Sequence, residues 1–326
     1  NHTDRGHAEF SPSQLKYLAG CSGYEGRSGT NAAAAMGTRI HEALEIEDPS
    51  NLQSEEEVSI YNEILTDQKE YLSAYESGRN LTEEHAEIQL DVELNGTSTY
   101  GTCDYLVIFD NKDGVLIDYK TGISKIDTPA KNFQAKAYTL GCFQKYPELT
   151  SIEFVFFVPQ RNEILSDTFN RGNIDELIDE LSDVILKAEK VRPKWETGTP
   201  SLEELTPTVD CRFCKHEDTC PALGGLVVEV AKKVDPQLPD VDLDTVEDPE
   251  VVEQLYMIAK IVTNWADRFK KRAIKLAEDG VEYPNLRLKT MRGRRNVTDS
   301  DTFLKIARDF GVDSEEVLRH VSLPLA

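Results

Sequence analysis

The chain has 326 residues, 39% hydrophobic and 29% charged, with a net charge of −23. That suits one large domain, or a domain with an appendage, around a real core; it excludes fibrous and disordered classes. No run of about 18 apolar residues is present, so no membrane span is expected, and the opening NHTDRGHAEF lacks the apolar stretch of a secretory leader.

In chain order, SPSQLKYLAGC opens with the helix-start signal Ser11-Pro12 and reads as a short helix to Cys21. AAAAMGTRIHEALE, after Asn31, reads as a second helix. Residues 54–78 read as a third, with Val58, Tyr61, Ile64, Leu65, Tyr71 and Leu72 at helical spacing. The period then changes to two. Residues 88–94, 101–110 and 114–120 read as strands joined by turns at Asn95-Gly96 and Asn111–Gly114. Helix returns at 128–145, a buried strand at 151–159 and an amphipathic helix at 173–190. A cysteine-rich segment, 211–220, precedes an acidic, proline-bearing linker at 234–250. A long helix over 249–278 carries Val252, Leu255, Ile258, Ile261, Val262, Trp265 and Phe269 on one side. A strand-like NLRLKTM and one or two short helices end the chain.

Acidity argues against nucleic-acid binding, because phosphate contact needs Lys and Arg. The charge is uneven, however: residues 268–295 hold ten Lys/Arg against three acids, leaving about −30 on the rest. A solvated helix face and a DNA contact both fit such a cluster.

In VLIDYKTG (115–122) an apolar run passes into Asp118-Tyr119-Lys120. Residues two apart on a strand share a face, so Asp118 and Lys120 point the same way. The hairpin at Asn111–Gly114 sets that strand beside the one carrying Asp104. Two carboxylates so close repel unless a cation lies between them. Hard oxygen ligands that leave room for waters suit Mg²⁺ or Mn²⁺. Such an ion lowers the pKa of a bound water and neutralises charge on a phosphate. Lys120 can orient or deprotonate that water and stabilise the transition state. Each residue alone also has a plain reading, as a surface pair, a core histidine or ordinary helix positions; their joint order is the signal.

Gly101-Thr102-Cys103-Asp104 followed by Asp118-Tyr119-Lys120 resembles the PD-(D/E)XK nuclease superfamily. His41 in GTRIHEALE, and Gln134 with Tyr138 in QAKAYTLG as a Q-x₃-Y element, resemble its RecB-like branch. The resemblance implies an α/β (α+β) restriction-endonuclease-like core: a central mixed sheet flanked by helices, with a helical C-terminal extension. It implies that His41, Asp104 and Asp118, with the Tyr119 carbonyl, hold the metal. It makes Lys120 catalytic alongside Asp104 and Asp118, with Gln134 and Tyr138 positioning DNA or supporting the site. Glu87, on the strand before Asp104, is a further candidate; Asp91 and Glu93 share that strand as solvated residues.

Of six cysteines, Cys103 and Cys142 read as buried core thiols. Cys211, Cys214 and Cys220 form C-x₂-C-x₅-C, for which zinc with His216 as fourth ligand is one solution. Cys21, far upstream in LAGCSGYEG, offers another. One cysteine before the core and C-x₂-C-x₅-C after it resembles the iron–sulfur RecB-like nucleases, including AddB-type domains, CRISPR-adaptation nucleases and phage exonucleases. That likeness implies a four-iron–four-sulfur cluster on Cys21, Cys211, Cys214 and Cys220, and four thiolates suit one. It would staple the core across 190 residues. Nothing suggests the secreted setting in which disulfides form.

The tail NLRLKTMRGRRNVTDSDTF, with SPSQLKYLAGC at the start, resembles phage-encoded RecB-like proteins. The expectation is therefore a Mg²⁺- or Mn²⁺-dependent DNA exonuclease serving phage recombination or end processing in a bacterial cytoplasm. Residues 1–230 form its core and 231–326 an extension. Its partners are DNA, single- or double-stranded, and a phage recombinase or single-strand-binding protein. Lys270, Lys271, Arg292, Arg294 and Arg295 are expected to contact phosphates. No GxxxxGK[ST] motif is present, so no ATP motor is expected. The other reading is a non-catalytic zinc- or cluster-stapled nucleic-acid-binding or adaptor protein.

Overall fold

The computed structural model of the chain describes residues 8–27, 29, 32–76, 78–234, 246–284, 286–288, 306 and 308. Its elements, in order, are α1 (Leu15–Gly20), α2 (Ala32–Ile46), α3 (Glu55–Tyr75), β1 (Leu81–Glu93), β2 (Ser98–Phe109) and β3 (Asp113–Tyr119). Then come α4 (Phe133–Lys145), β4 (Ser151–Val158), β5 (Glu163–Asn170), α5 (Ile174–Val191), α6 (Lys194–Thr197), α7 (Pro221–Val234) and α8 (Pro249–Glu278). By contacts the chain divides into two units, Asn1–Phe269 and Lys270–Ala326. Among the described residues no helix is long and apolar enough to cross a membrane.

The five strands form one mixed sheet in the order β1-β2-β3-β4-β5. All neighbours are antiparallel except β3 and β4, which run parallel with Leu116 opposite Phe154 and Asp118 opposite Phe156. A parallel pair needs a crossover, and α4 supplies it. The run Val115–Ile117 is continuous because β3 is buried on both faces. Leu116 packs with α1, α4 and α5 residues such as Leu18, Phe143 and Leu181. Val115 and Ile117 pack with Ile40 and Ala43 of α2 and Ile64 of α3. Helices thus cover both faces, the architecture expected of the restriction-endonuclease-like class.

Local chemistry fixes the ends. Ser54 caps α3 by accepting the Glu57 N–H at 3.2 Å, and Glu55, Glu56 and Glu57 complement the positive end of the helix dipole. Asn132 caps α4, its Oδ1 accepting the N–H groups of Gln134 at 2.9 Å and Ala135 at 3.3 Å. Gly96, at φ +83°, makes the β1–β2 turn. In the second unit, the Tyr283 hydroxyl donates to the Ala273 carbonyl at 3.3 Å, and Tyr283 bridges to Leu286.

The structure adds two features to the sequence reading. β1 starts at Leu81, seven residues before the predicted strand, because β2 is long enough to pair back to Phe109. β5 was not anticipated. Its inward positions are Glu163, Leu165, Asp167 and Phe169, so two acids interrupt the apolar period. Each acid is satisfied: Glu163 by Arg161 at 2.9 Å, and Asp167 by the Ala130 N–H at 2.8 Å.

Candidate active site

One cleft of about 430 Å³ is lined by His41, Asp104, Asp118, Tyr119, Lys120, Gln134 and Tyr138, every residue predicted for the metal and catalytic site. They come from four elements: α2 gives His41, β2 Asp104, the end of β3 Asp118 and Tyr119, and α4 Gln134 and Tyr138. Lys120 follows β3, its N–H held by the Phe157 carbonyl at 2.9 Å.

Tyr105 pairs with Ile117, so one step further along the two strands Asp104 stands across from Asp118. Both carboxylates are buried. Asp104 Oδ1 lies 3.0 Å from His41 Nδ1, and Asp104 Oδ2 accepts the Tyr119 N–H at 2.6 Å. Asp118 Oδ1 is 2.5 Å from Lys120 Nζ, an ion pair, yet it accepts no well-aligned hydrogen bond. Lys120 Nζ donates to Gln134 Oε1 at 2.7 Å. The Asn132 cap that starts α4 also bonds the Gln134 N–H, so the helix terminus orients the residue that orients the lysine.

The two acids are driven apart. Burial and the charge of Asp104 push Asp118 up to about 7, against the opposing pull of Lys120. Burial also acts on Asp104, but His41, the Tyr119 N–H and Lys120 outweigh it and hold Asp104 below its ordinary value. Burial works against the charge on His41, but Asp104, Asp118 and Glu87 raise it to about 9. Burial raises Tyr119 and Tyr138 well above the usual tyrosine value, so both stay neutral. A divalent cation fits this donor set. It would offset the charge of the facing carboxylates, and carboxylate oxygens with one imidazole suit Mg²⁺ or Mn²⁺.

The cleft holds groups that sequence reasoning did not single out. Ser11, Ser13, Thr102 and Thr121 bring hydroxyls, and Tyr100 brings a ring. Isolated serines and threonines carry no spacing signal; only the fold collects them. Gly101, the first residue of the GTCD motif, has a direct reason to be glycine: a Cβ there would lie 3.0 Å from both Pro12 Cδ and Tyr138 Cε1. Tyr119 is anchored from the other side, its hydroxyl donating to Gln68 Oε1 on α3 at 2.6 Å.

The four predicted cluster cysteines lie where chain segments 190 residues apart meet. Gly26 bridges to Cys214, the Arg27 N–H donates to the Phe213 carbonyl at 3.1 Å, and the Lys215 N–H donates to the Glu25 carbonyl at 2.8 Å. Burial raises the Cys220 thiol, and the neighbouring Cys21 and Cys211 raise it further. The N–H groups of Thr206 and Thr208 point at the sulfurs of Cys21 and Cys211, at 3.5 and 3.2 Å. His216 is engaged elsewhere: it stacks on Trp195 at 4.1 Å, and its Nε2 sits 3.1 Å from Glu25 Oε2. Among the described residues no three of the thiols gather within 4.8 Å.

Of the expected phosphate contacts, Lys270 and Lys271 are exposed on α8. Arg292, Arg294 and Arg295 lie outside the described residues, as does most of the expected 234–250 linker.

The profile of the family described as "Protein of unknown function (DUF2800)" matches residues 23–325, and the chain belongs to that family. No curated protein matches the sequence. Among solved structures, the chain is similar to a candidate exonuclease from Eubacterium rectale. Identity there is 15%, over 56% of this chain and 82% of that one, with a TM-score of 0.37. It is also similar to SSO0001, at 15% identity over 64% and 84% of the two chains, with a TM-score of 0.27.

Proposed function

We propose that this chain is a Mg²⁺- or Mn²⁺-dependent DNA exonuclease of the RecB-like kind, phage-encoded and stapled by a four-iron–four-sulfur cluster. One observation carries the reading: Asp104, Asp118 and Lys120 converge in one cleft with His41, Gln134 and Tyr138.

Asp104, Asp118 and His41, with the Tyr119 carbonyl, hold the metal. When bound, the ion supplies a water of lowered pKa and offsets charge on the scissile phosphate. Lys120 is held between Asp118 and Gln134, so its ammonium is fixed rather than mobile. From there it orients the attacking water and faces the negative charge that grows on phosphorus oxygens. Gln134 sets the lysine, and Tyr138, neutral and buried, forms the wall against which the strand lies. The hydroxyls of Ser11, Ser13, Thr102 and Thr121 offer donors to phosphate oxygens without adding charge.

Cys21, Cys211, Cys214 and Cys220 carry the cluster. The engagement of His216 with Glu25 and Trp195 supports Cys21 rather than His216 as the fourth ligand. On this reading residues 1–230 are the nuclease core and 231–326 an extension whose Lys270, Lys271, Arg292, Arg294 and Arg295 contact DNA.

The test is Asp118→Ala. Cleavage should vanish while the circular dichroism spectrum and thermal midpoint remain close to wild type. Full Mg²⁺-dependent cleavage by that variant contradicts the assignment of Asp118, and no cleavage by the wild type favours the non-catalytic nucleic-acid-binding reading.

A further inference from the structure

We infer that a surface built on the rings of Tyr17 and Phe213 and the cations Lys16 and Arg212 binds single-stranded DNA on its way into the cleft. The inference rests on the nuclease reading of the cleft and adds to it a strand form and a subsite.

The first observation is a ladder of cations and rings. Lys16 Nζ sits 4.3 Å from the centre of the Tyr17 ring. The Tyr17 and Phe213 rings meet edge to face at 6.4 Å. The Arg212 guanidinium sits 4.6 Å from the centre of the Phe213 ring. Tyr24, buried, stacks on Tyr17 at 4.7 Å and backs the ladder from the core side. Lys16 and Arg212 are exposed, and Phe213 keeps 43% of its surface in water. That exposed ring stands on a fixed backbone: the Phe213 carbonyl accepts the Arg27 N–H at 3.1 Å and the Tyr24 hydroxyl at 3.4 Å.

The second is charge. The chain carries −23, and the other cations around the ladder are taken up in pairs, Arg27 with Glu217, and Lys215 and Arg192 with Glu25. Among the described residues Lys16 and Arg212 rest on rings and form no ion pair. They can meet phosphate without first breaking a salt bridge, while the rings between them offer π faces to bases. Cations that track the backbone, with aromatic rings on which bases stack, hold single strands with little sequence preference. In a duplex the bases are already paired and stacked, so only sugar and phosphate would reach these rings.

The third is continuity with the cleft. Ser11, Pro12 and Ser13 line it, and the turn Pro12–Gln14 runs directly into α1. Residues three and four apart on a helix are neighbours on one face. Ser13 and Lys16 are exposed on this one, with Tyr17 half-buried beside them. At 1.5 Å per residue, Lys16 and Tyr17 stand about 5–6 Å along the helix from the cleft rim. A strand whose reacting phosphate lies at Asp104 and Asp118 passes Ser13 and reaches the ladder next.

The experiment is a binding titration of the full chain by fluorescence anisotropy, with Ca²⁺ in place of Mg²⁺ and at several salt concentrations. The probes are an oligothymidine, a strand of the same length built of abasic sites, and a duplex of that length. Wild type should hold the oligothymidine about tenfold more tightly than the abasic strand, the order that a stacked base contributes, and more tightly than the duplex. Phe213→Leu keeps the apolar packing and removes the ring. It should lose about tenfold on oligothymidine and little on the abasic strand or the duplex. Lys16→Ala with Arg212→Ala should flatten the log–log salt slope on both single strands by about 0.7 per lost contact. Four results overturn the inference and leave the nuclease reading standing: equal wild-type affinity for the two single strands, tighter binding of duplex than of oligothymidine, an equal effect of Phe213→Leu on all three probes, or an unchanged slope in the double variant. No DNA binding by the wild type overturns both.

Discussion

Gly141→Ala sets two effects against each other. In a helix interior, alanine is favoured over glycine by about 1 kcal/mol, so propensity predicts stabilisation. Packing predicts the opposite. A Cβ at Gly141 on α4 would lie 2.9 Å from the Asp91 carbonyl oxygen, 3.1 Å from Leu90 Cβ and 3.2 Å from Val92 Cγ2. The nearest atom is strand backbone, which cannot swing aside. Ordinary contact begins at 3.4 Å, so α4 must retreat from β1 by about 0.5 Å. Overpacking of this kind costs about 1–3 kcal/mol. The net loss should be up to about 2 kcal/mol, lowering the melting temperature by up to about 8 °C for a unit of this size. Because α4 carries Gln134 and Tyr138, the 2.7 Å bond from Lys120 to Gln134 should loosen as well, at a cost of roughly tenfold in cleavage rate. Gly225→Ala is the control. It is the same change inside α7, with nothing within 4 Å of the new methyl, and it should gain stability. Scanning calorimetry with a cleavage time course reads all of this. If Gly141→Ala gains stability as Gly225→Ala does, the tight α4–β1 approach is wrong.

Glu57→Gln weakens the pair that locks α2 to α3, in which Arg39 Nη2 lies 2.5 Å and Nε 3.2 Å from the carboxylate of buried Glu57. With Arg39 partly solvated, the loss should be about 1–3 kcal/mol by urea denaturation, and a loss under about 0.5 kcal/mol marks the pair as surface-like. Arg39 holds Glu57 below the ordinary carboxylate value of 4.5, so its stabilisation is complete above that pH and fades as pH falls below it. The variant should lack that part of the acid dependence. Cys21→Ser should lose iron, brown colour and stability together, since metal binding is folding free energy for a staple of distant segments; unchanged iron removes Cys21 from the ligand set. Arg294→Ala with Arg295→Ala should weaken DNA binding for all sequences alike and flatten its log–log salt slope by about 0.7–0.9 per lost contact, measured with Ca²⁺ in place of Mg²⁺. An unchanged slope assigns those arginines to a solvated face.

What the sequence made legible follows from how locally each feature is encoded. Val115–Ile117 announced a two-faced strand because its burial is complete, and Asp118, Lys120, Gln134 and Tyr138 announced themselves by spacing along single elements. The cleft's hydroxyls did not, since Ser11, Thr102 and Thr121 meet only after the sheet forms. β5 stayed hidden because two inward positions are acids whose partners, Arg161 and the Ala130 N–H, are read only in three dimensions. Glu87 was visible as an acid on a strand; its left-handed backbone and its place opposite Asp104 were not. The Arg39–Glu57 pair likewise joins two helices that the sequence predicts separately.

The most direct test is release of nucleotides from 5′- and 3′-labelled single- and double-stranded DNA by the purified chain and by Lys120→Met. The side chain of Lys120 pairs with Asp118 and Gln134, and a methionine keeps its apolar stem beside the Phe156 ring, so the variant should fold. The account predicts progressive shortening from an end with Mg²⁺ or Mn²⁺, none with chelator, and a loss of at least a hundredfold in Lys120→Met. Cleavage that persists in chelator, or at wild-type rate without the lysine, contradicts it.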